Sequence, residues 1–283
     1  MKKKIILLSI ILSATIIHAQ DKKIGMCLSG GGALGFAHVG VLKAFEEHNV
    51  NIDMISGASI GSIMGGLYAY GYKADDIMKL AKDKKINKLR SFAKLSLFSN
   101  TGLSNHKKLT KILDELLPVD TFEELKIPFA IAVTDISSLE GKIVSSGDNL
   151  KKYIMASSSI PIVFQPVEIN GITYVDGGVT NHSPIEFLIQ KNDIVIISEC
   201  VVAGSSLDNL TRNHIVRRVM VSRNNSLNIY RLEQADYTIV IEGLENYNIM
   251  DFRSYLDIYA FGYKAGLKFL EQHPELYPSR AEN

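Results

Sequence analysis

Short runs that are apolar at every position, set apart by stretches with helical spacing, constrain this chain most. Ile24–Leu28, Ile52–Ser56, Phe129–Thr134, Lys142–Ser145, Ile194–Cys200 and Tyr237–Ile241 read as strands. Several lack the apolar–polar alternation of a strand with one wet face, so they are expected to be buried on both faces. Helical runs lie between them: Phe36–His48, Ile60–Tyr70, Ala74–Lys84, His106–Leu116 and Pro184–Gln190, with two more near Asn213–Gln234 and Tyr255–Gln272. Strands separated by helices predict an α/β fold, a mostly parallel central sheet flanked by helices. Asp120 followed by Glu123 fits a capping box, and Gly71 fits a helix C-terminus.

The ends and the charge narrow the class. Lys2, Lys3 and Lys4 precede an apolar run, Ile5 to Ile17, that is short for a bilayer span, and Ala19 offers a small residue for cleavage. Residues 1–19 therefore read as a signal peptide, with an uncleaved anchor as the alternative, and the protein is expected to be exported, periplasmic or secreted. Removing that segment takes away three lysines and no acid, so a formal charge of +1 becomes −2. That balance gives no footprint for nucleic acid. Residues 20–283 suit one domain with a large core. Cys27 and Cys200 could pair in an exported chain, but both sit in strand-like apolar runs where buried free thiols are commoner. Neither a metal site nor a cofactor is expected.

Two glycine-marked turns carry chemistry. Gly30, Gly32 and Gly35 satisfy G-x-G-x-x-G between a strand and a helix, and Asp53 follows where a ribose-binding acid would stand. Taken alone, that loop supports a dinucleotide site. No Lys-Ser/Thr pair follows it, which excludes a Walker-type phosphate loop. Then Gly57-Ala58-Ser59-Ile60-Gly61 gives G-x-S-x-G after a short apolar strand and before a helix, the context of a nucleophile elbow. Side chains at Gly57 or Gly61 would collide with the neighbouring strand and helix. A serine hydroxyl needs a base. His182, His214 and His273 could follow an acid in a Ser…Asp…His order, with His182 in a loop and the other two in polar helical stretches. None sits in a glycine-marked turn. Asp176 does, in YVDGGV, directly after strand-like Ile172–Val175, although a D-G turn alone is ordinary.

Taken in order, these motifs resemble the bacterial patatin-like phospholipases. The resemblance rests on Gly30-Gly31-Gly32-Ala33-Leu34-Gly35, Gly57-Ala58-Ser59-Ile60-Gly61 and Asp176-Gly177-Gly178, and on the connecting text AHVGVLKAFEE (37–47), VTD (133–135) and MASSSIPIVFQPVEINGITYVDGG (155–178). It implies a single three-layer patatin-like domain and a Ser59–Asp176 catalytic dyad. It also implies an oxyanion hole in the loop Gly30, Gly31, Gly32 and Ala33, with Gly31, Gly32 and Ala33 giving the N–H groups. Gly57 and Gly61 would shape the elbow, and Gly177 and Gly178 the acid turn. The expected activity is acyl hydrolysis of phospholipids, lysophospholipids or related esters through an acyl-enzyme. Calcium would be dispensable for the chemistry. Leu34 stands where the family usually has Arg or Lys, which puts headgroup preference in question.

Residues 82–98 carry Lys82, Lys84, Lys85, Lys88, Arg90 and Lys94 beside Phe92, Leu95, Leu97 and Phe98. They could make transient membrane-surface contact or form a lid. A solvated basic helix end is the commoner fate of such a run. Arg212, Arg217, Arg218 and Arg223 read the same way. Two rival functions stay open: a non-catalytic lipid-binding envelope protein on the same scaffold, and a dinucleotide-binding oxidoreductase built on Gly30–Gly35. The sequence leaves the oligomeric state open.

Overall fold

A computed structural model describes residues 22–82, 107–161, 163–201 and 225–277. Its strands are β1 (Ile24–Leu28), β2 (Met54–Gly57), β3 (Phe129–Asp135), β4 (Glu140–Val144), β5 (Val167–Ile169), β6 (Ile172–Asp176), β7 (Ile194–Glu199) and β8 (Tyr237–Val240). Its α-helices are α1 (Phe36–Glu47), α2 (Ile60–Tyr70), α3 (Ala74–Lys82), α4 (Lys107–Leu116), α5 (Leu150–Ser157), α6 (Glu186–Ile189), α7 (Asn225–Gln234) and α8 (Tyr255–Gln272).

The strands form one mixed sheet in the order β5-β6-β3-β2-β1-β7-β8, with β4 also paired to β3. The run β3-β2-β1-β7-β8 is parallel, as the continuous apolar strands require. Strands β4, β5 and β6 are antiparallel to their neighbours, so Lys142–Ser145, expected within a mostly parallel sheet, belongs to its antiparallel part. The three layers are visible in alternate residues. Ile24, Met26 and Leu28 of β1 and Ile194 and Ile196 of β7 join the main core, while Cys27, Val195 and Ile197 join a smaller cluster with Ile185 and Leu188 on the other face. Both cysteines are buried.

Helix α8 lies tightly along α1: a side chain at Gly40 would meet the backbone of Tyr259 and Tyr263, and one at Gly262 the backbone of Ala37. Gly71 ends α2 in the left-handed region, at φ 120°. The capping box lies one residue later than expected. Glu124 accepts from the Thr121 N–H and hydroxyl at 3.2 and 2.6 Å, while Asp120 accepts from Lys151 N–H at the start of α5 and Glu123 from Gly147 N–H. Residues 1–21, most of the basic run 82–98, and Arg212, Arg217, Arg218 and Arg223 lie outside the described residues. Among the described residues no helix is long and apolar enough to cross a membrane.

Strand β3 sets the register of the site. It pairs with β2 at Phe129–Ile131 and with β6 at Val133–Asp135, so Gly57 stands opposite Ile131 and Asp176 opposite Val133. The turn after β2 and the end of β6 are thereby brought to the same level of the sheet.

Candidate active site

Ser59 occupies the turn between β2 and α2 with φ 52° and ψ −122°, a conformation strained for any residue with a Cβ. Close packing enforces the turn. A side chain at Gly57 would run into the carbonyl of Gly61, and one at Gly61 into the carbonyl of Leu28. Three serines hold the backbone. Ser157 Oγ, at the end of α5, accepts from Ser59 N–H at 2.9 Å, while the Ser62 and Ser158 hydroxyls donate to Ser59 O at 2.6 and 3.4 Å. The nucleophile candidate thus stands at the N-terminus of α2, where the helix dipole favours developing negative charge.

Asp176 ends β6. Its N–H donates to Ser159 O and its carbonyl accepts from the Thr134 hydroxyl, which fixes the backbone on both sides. Oδ1 accepts from Gly178 N–H at 2.7 Å, and Oδ2 accepts from Ser59 Oγ at 2.6 Å. The two side chains that the motifs single out, 117 residues apart, share a short hydrogen bond. Ser59 is 7 % exposed and Asp176 1 %, so both residues are buried. Burial pushes the Asp176 carboxyl up to about 6, against the pull of the Ser59 and Gly178 hydrogen bonds and the nearby His182. A base poised there accepts a serine proton near neutral pH.

The glycine loop comes to rest beside Ser59. Gly31 and Gly32 have φ 156° and 58°, and a side chain at Gly32 would collide with the Ile249 carbonyl. Not every amide of the loop is available. Gly30 N–H donates to His182 O at 3.1 Å and Ala33 N–H to Ile249 O at 2.7 Å. Ala33, expected to give an oxyanion donor, ties the loop to residue 249 through its N–H, whereas the Gly31 and Gly32 N–H groups make no backbone hydrogen bond among the described residues. Leu34 is fully buried in the main core. Apolar packing braces the loop at the position where a cation was the family expectation. Beneath the loop, Cys200 Sγ lies 3.1 Å from Gly30 O and Cys200 N–H donates to Ser29 Oγ at 3.2 Å. His38 bridges Ser29 O and Ser198 Oγ at 2.9 and 2.8 Å, and burial pushes its imidazole down to about 4, so it is neutral.

These groups line a cavity of about 40 Å³ walled by Gly30–Gly32, Ser59, Asp176, Gly178 and His182, with Ile160, Val201 and Ile249 on its apolar side. It has room for a reacting carbonyl between hydroxyl and amides. His182, which no sequence motif set against Ser59, lines this same cavity without being hydrogen-bonded to the hydroxyl. Its position depends on β7 and the glycine loop, which only the fold brings together. His273 pairs with Glu275 at the end of α8, and His214 lies outside the described residues. Asp53 does not stand near the loop as a ribose-binding acid would. It accepts from Ile24 N–H at 2.7 Å, at the start of β1, whereas the loop follows the end of that strand. Among the described residues no group of three or more His, Cys, Asp or Glu is placed to hold a metal ion. A larger groove of about 480 Å³ between β8 and α8 holds Glu242, Lys264 and Lys268 but no serine or histidine.

A hydroxyl on a strained turn, a buried carboxylate at 2.6 Å and glycine amides in the same cavity are the parts that acyl transfer through a serine requires. A family model for patatin-like phospholipases matches residues 26–189, more than half of the chain, and the protein belongs to that family. Lysophospholipase NTE1 of Yarrowia lipolytica is 28 % identical over 92 % of this chain, and that of Scheffersomyces stipitis 30 % identical over 69 %. The matched regions span only 20 % and 12 % of those longer proteins. The crystal structure of VipD from Legionella pneumophila shares the fold, with a TM-score of 0.53 at 16 % identity over 89 % of this chain and 67 % of that one.

Proposed function

We propose that the protein is a lipid acyl hydrolase that uses Ser59 as nucleophile and Asp176 as its base. The observation that carries this reading is the 2.6 Å hydrogen bond from Ser59 Oγ to a carboxylate that burial has tuned to about 6. Ser59 Oγ attacks the ester carbonyl while Asp176 Oδ2 takes its proton. The tetrahedral oxyanion receives hydrogen bonds from the Gly31 and Gly32 amides, whose residues line the same cavity as Ser59. Asp176 returns the proton to the leaving alcohol. Water, deprotonated by the same carboxylate, then attacks the acyl carbonyl, and Asp176 returns that proton to Ser59 Oγ as the fatty acid leaves. The acyl chain lies against Ile160, Val201 and Ile249, the apolar side of the small cavity.

The lysophospholipase names of the relatives support phospholipids or lysophospholipids as substrates. The leader-like residues 1–19 support an exported, periplasmic or secreted bacterial enzyme. The basic apolar run 82–98 supports brief contact with a lipid surface. Incubating wild type and Ser59→Ala with a mixed lipid extract and identifying products by mass spectrometry tests the reading. Free fatty acid and the matching deacylated lipid appear with wild type only. Equal product from both, or none from wild type, refutes it; in the second case the non-catalytic lipid-binding reading replaces it. N-terminal sequencing of the exported protein tests the leader, with Gln20 as the expected first residue.

A further inference from the structure

His182 sits on the wall of the cavity that holds Ser59 and Asp176, yet the dyad does not employ it. Its ring is clamped between two of the motif turns. A methyl group at Gly30 would lie 3.0 Å from His182 Nδ1 and 3.6 Å from Ser59 Cβ. One at Gly178 would lie 3.0 Å from Asp176 Oδ1 and 3.7 Å from the same Nδ1. Glycine at both positions is what lets the imidazole edge face the dyad. The far edge is held by Glu199 at the end of β7, whose Oε1 lies 3.4 Å from Nε2.

Glu199 is itself built in. It is 3 % exposed, its Oε2 accepts from the Ser183 hydroxyl at 3.1 Å and its Oε1 from Val201 N–H at 2.9 Å. Burial alone would raise its carboxyl, but His182, Val201 and Ser29 together hold it below the usual carboxylate range. A buried ionised carboxylate is costly unless it is paired, and His182, when protonated, is a cationic partner 3.4 Å from it. Asp176 on β6, Glu199 on β7 and neutral His38 on α1 each interact electrostatically with His182.

We infer that the Glu199–His182 pair is an electrostatic positioning device for the dyad: Glu199 holds the imidazole at the cavity wall, and the charge of His182 sets the pH at which Asp176 becomes a working base. The inference rests on the hydrolase reading above. When His182 carries its proton, its charge favours the ionised Asp176 that accepts from Ser59. Without it, Asp176 keeps its own proton to a higher pH.

The test is the pH profile of kcat/KM for p-nitrophenyl butyrate in wild type, His182→Asn and His182→Gln, with thermal unfolding and fluorophosphonate labelling measured on the same samples. The acid limb is expected to move up by about 0.5–1 pH unit in both variants, with the fold kept and the plateau rate at high pH changed far less than the rate at pH 6. A structural role would lower the whole profile without moving its limb. Folded, labelled variants with the wild-type limb overturn the inference and leave the hydrolase reading intact. Loss of folding in both variants also overturns it, by making His182 a structural residue. A wild-type protein inert to ester and probe at every pH overturns the hydrolase reading and this inference with it.

Discussion

Replacing Asp176 by Asn should cripple activity and, above about pH 6, stabilise the fold. The side chain is buried, and burial lifts its carboxyl from 3.8 to about 6. A carboxyl whose folded value lies above its unfolded value contributes stability that is present at low pH and lost as pH rises through the folded value. The loss therefore develops between about pH 4 and pH 6 and stays constant above. At 1.36 kcal/mol per pH unit, it amounts to ~3 kcal/mol. Asparagine avoids that loss. Its Oδ1 can still accept from Gly178 N–H, and its amide can donate to Ser59 Oγ where Oδ2 accepted before. Urea unfolding followed from pH 4 to pH 8 is the assay. The variant should match wild type near pH 4 and exceed it by ~3 kcal/mol above pH 6, a rise in Tm of roughly 5–10 °C for a domain of this size. Ester hydrolysis should fall by about 10²–10⁴-fold. Equal stability at pH 8, or an advantage confined to acid, would refute the claim that Asp176 is an ionised base held in a dry site.

Other perturbations probe the scaffold. Ser59→Ala should lose all ester hydrolysis yet stay folded, with an unfolding free energy at pH 8 lower than wild type by about 1–3 kcal/mol because Asp176 Oδ2 loses its donor. Gly61→Ala places a methyl on the Leu28 carbonyl, a backbone atom that cannot turn aside, and should cost more than about 2 kcal/mol in urea unfolding. Neutral His38, pushed down to about 4, contributes stability that is present above 6.5 and lost as pH falls toward 4, opposite in sign to Asp176. Asp176→Asn, with that opposing contribution gone, should therefore lose stability more steeply in acid than wild type. Chelation by EDTA should leave hydrolysis unchanged, because hydroxyl, carboxylate and amides complete the chemistry.

The sequence carried the parallel strands and the three motif turns because each is written in local residue choice. Apolar runs at Ile24–Leu28 and Ile194–Cys200 follow from burial on two faces, and Gly57 and Gly61 follow from backbone contact within one strand–turn–helix unit. What escaped depends on partners far along the chain. Helix α5 was not anticipated; it is short and begins after Asn149 in a left-handed conformation. Yet its Ser157 fixes the Ser59 amide. Strand β5 has three residues and exists only because β6 pairs with it. The capping box moved by one residue because Asp120 and Glu123 serve other amides. The Ala33 N–H is taken by the Ile249 carbonyl, 216 residues away, and His182 stands beside Glu199 on a different strand.

Peptide mapping after fluorophosphonate treatment tests the central claim most directly. A covalent adduct should appear on Ser59 in wild type and be strongly diminished in Asp176→Asn. An adduct on another residue, or undiminished labelling of Ser59 without the carboxylate, would contradict it.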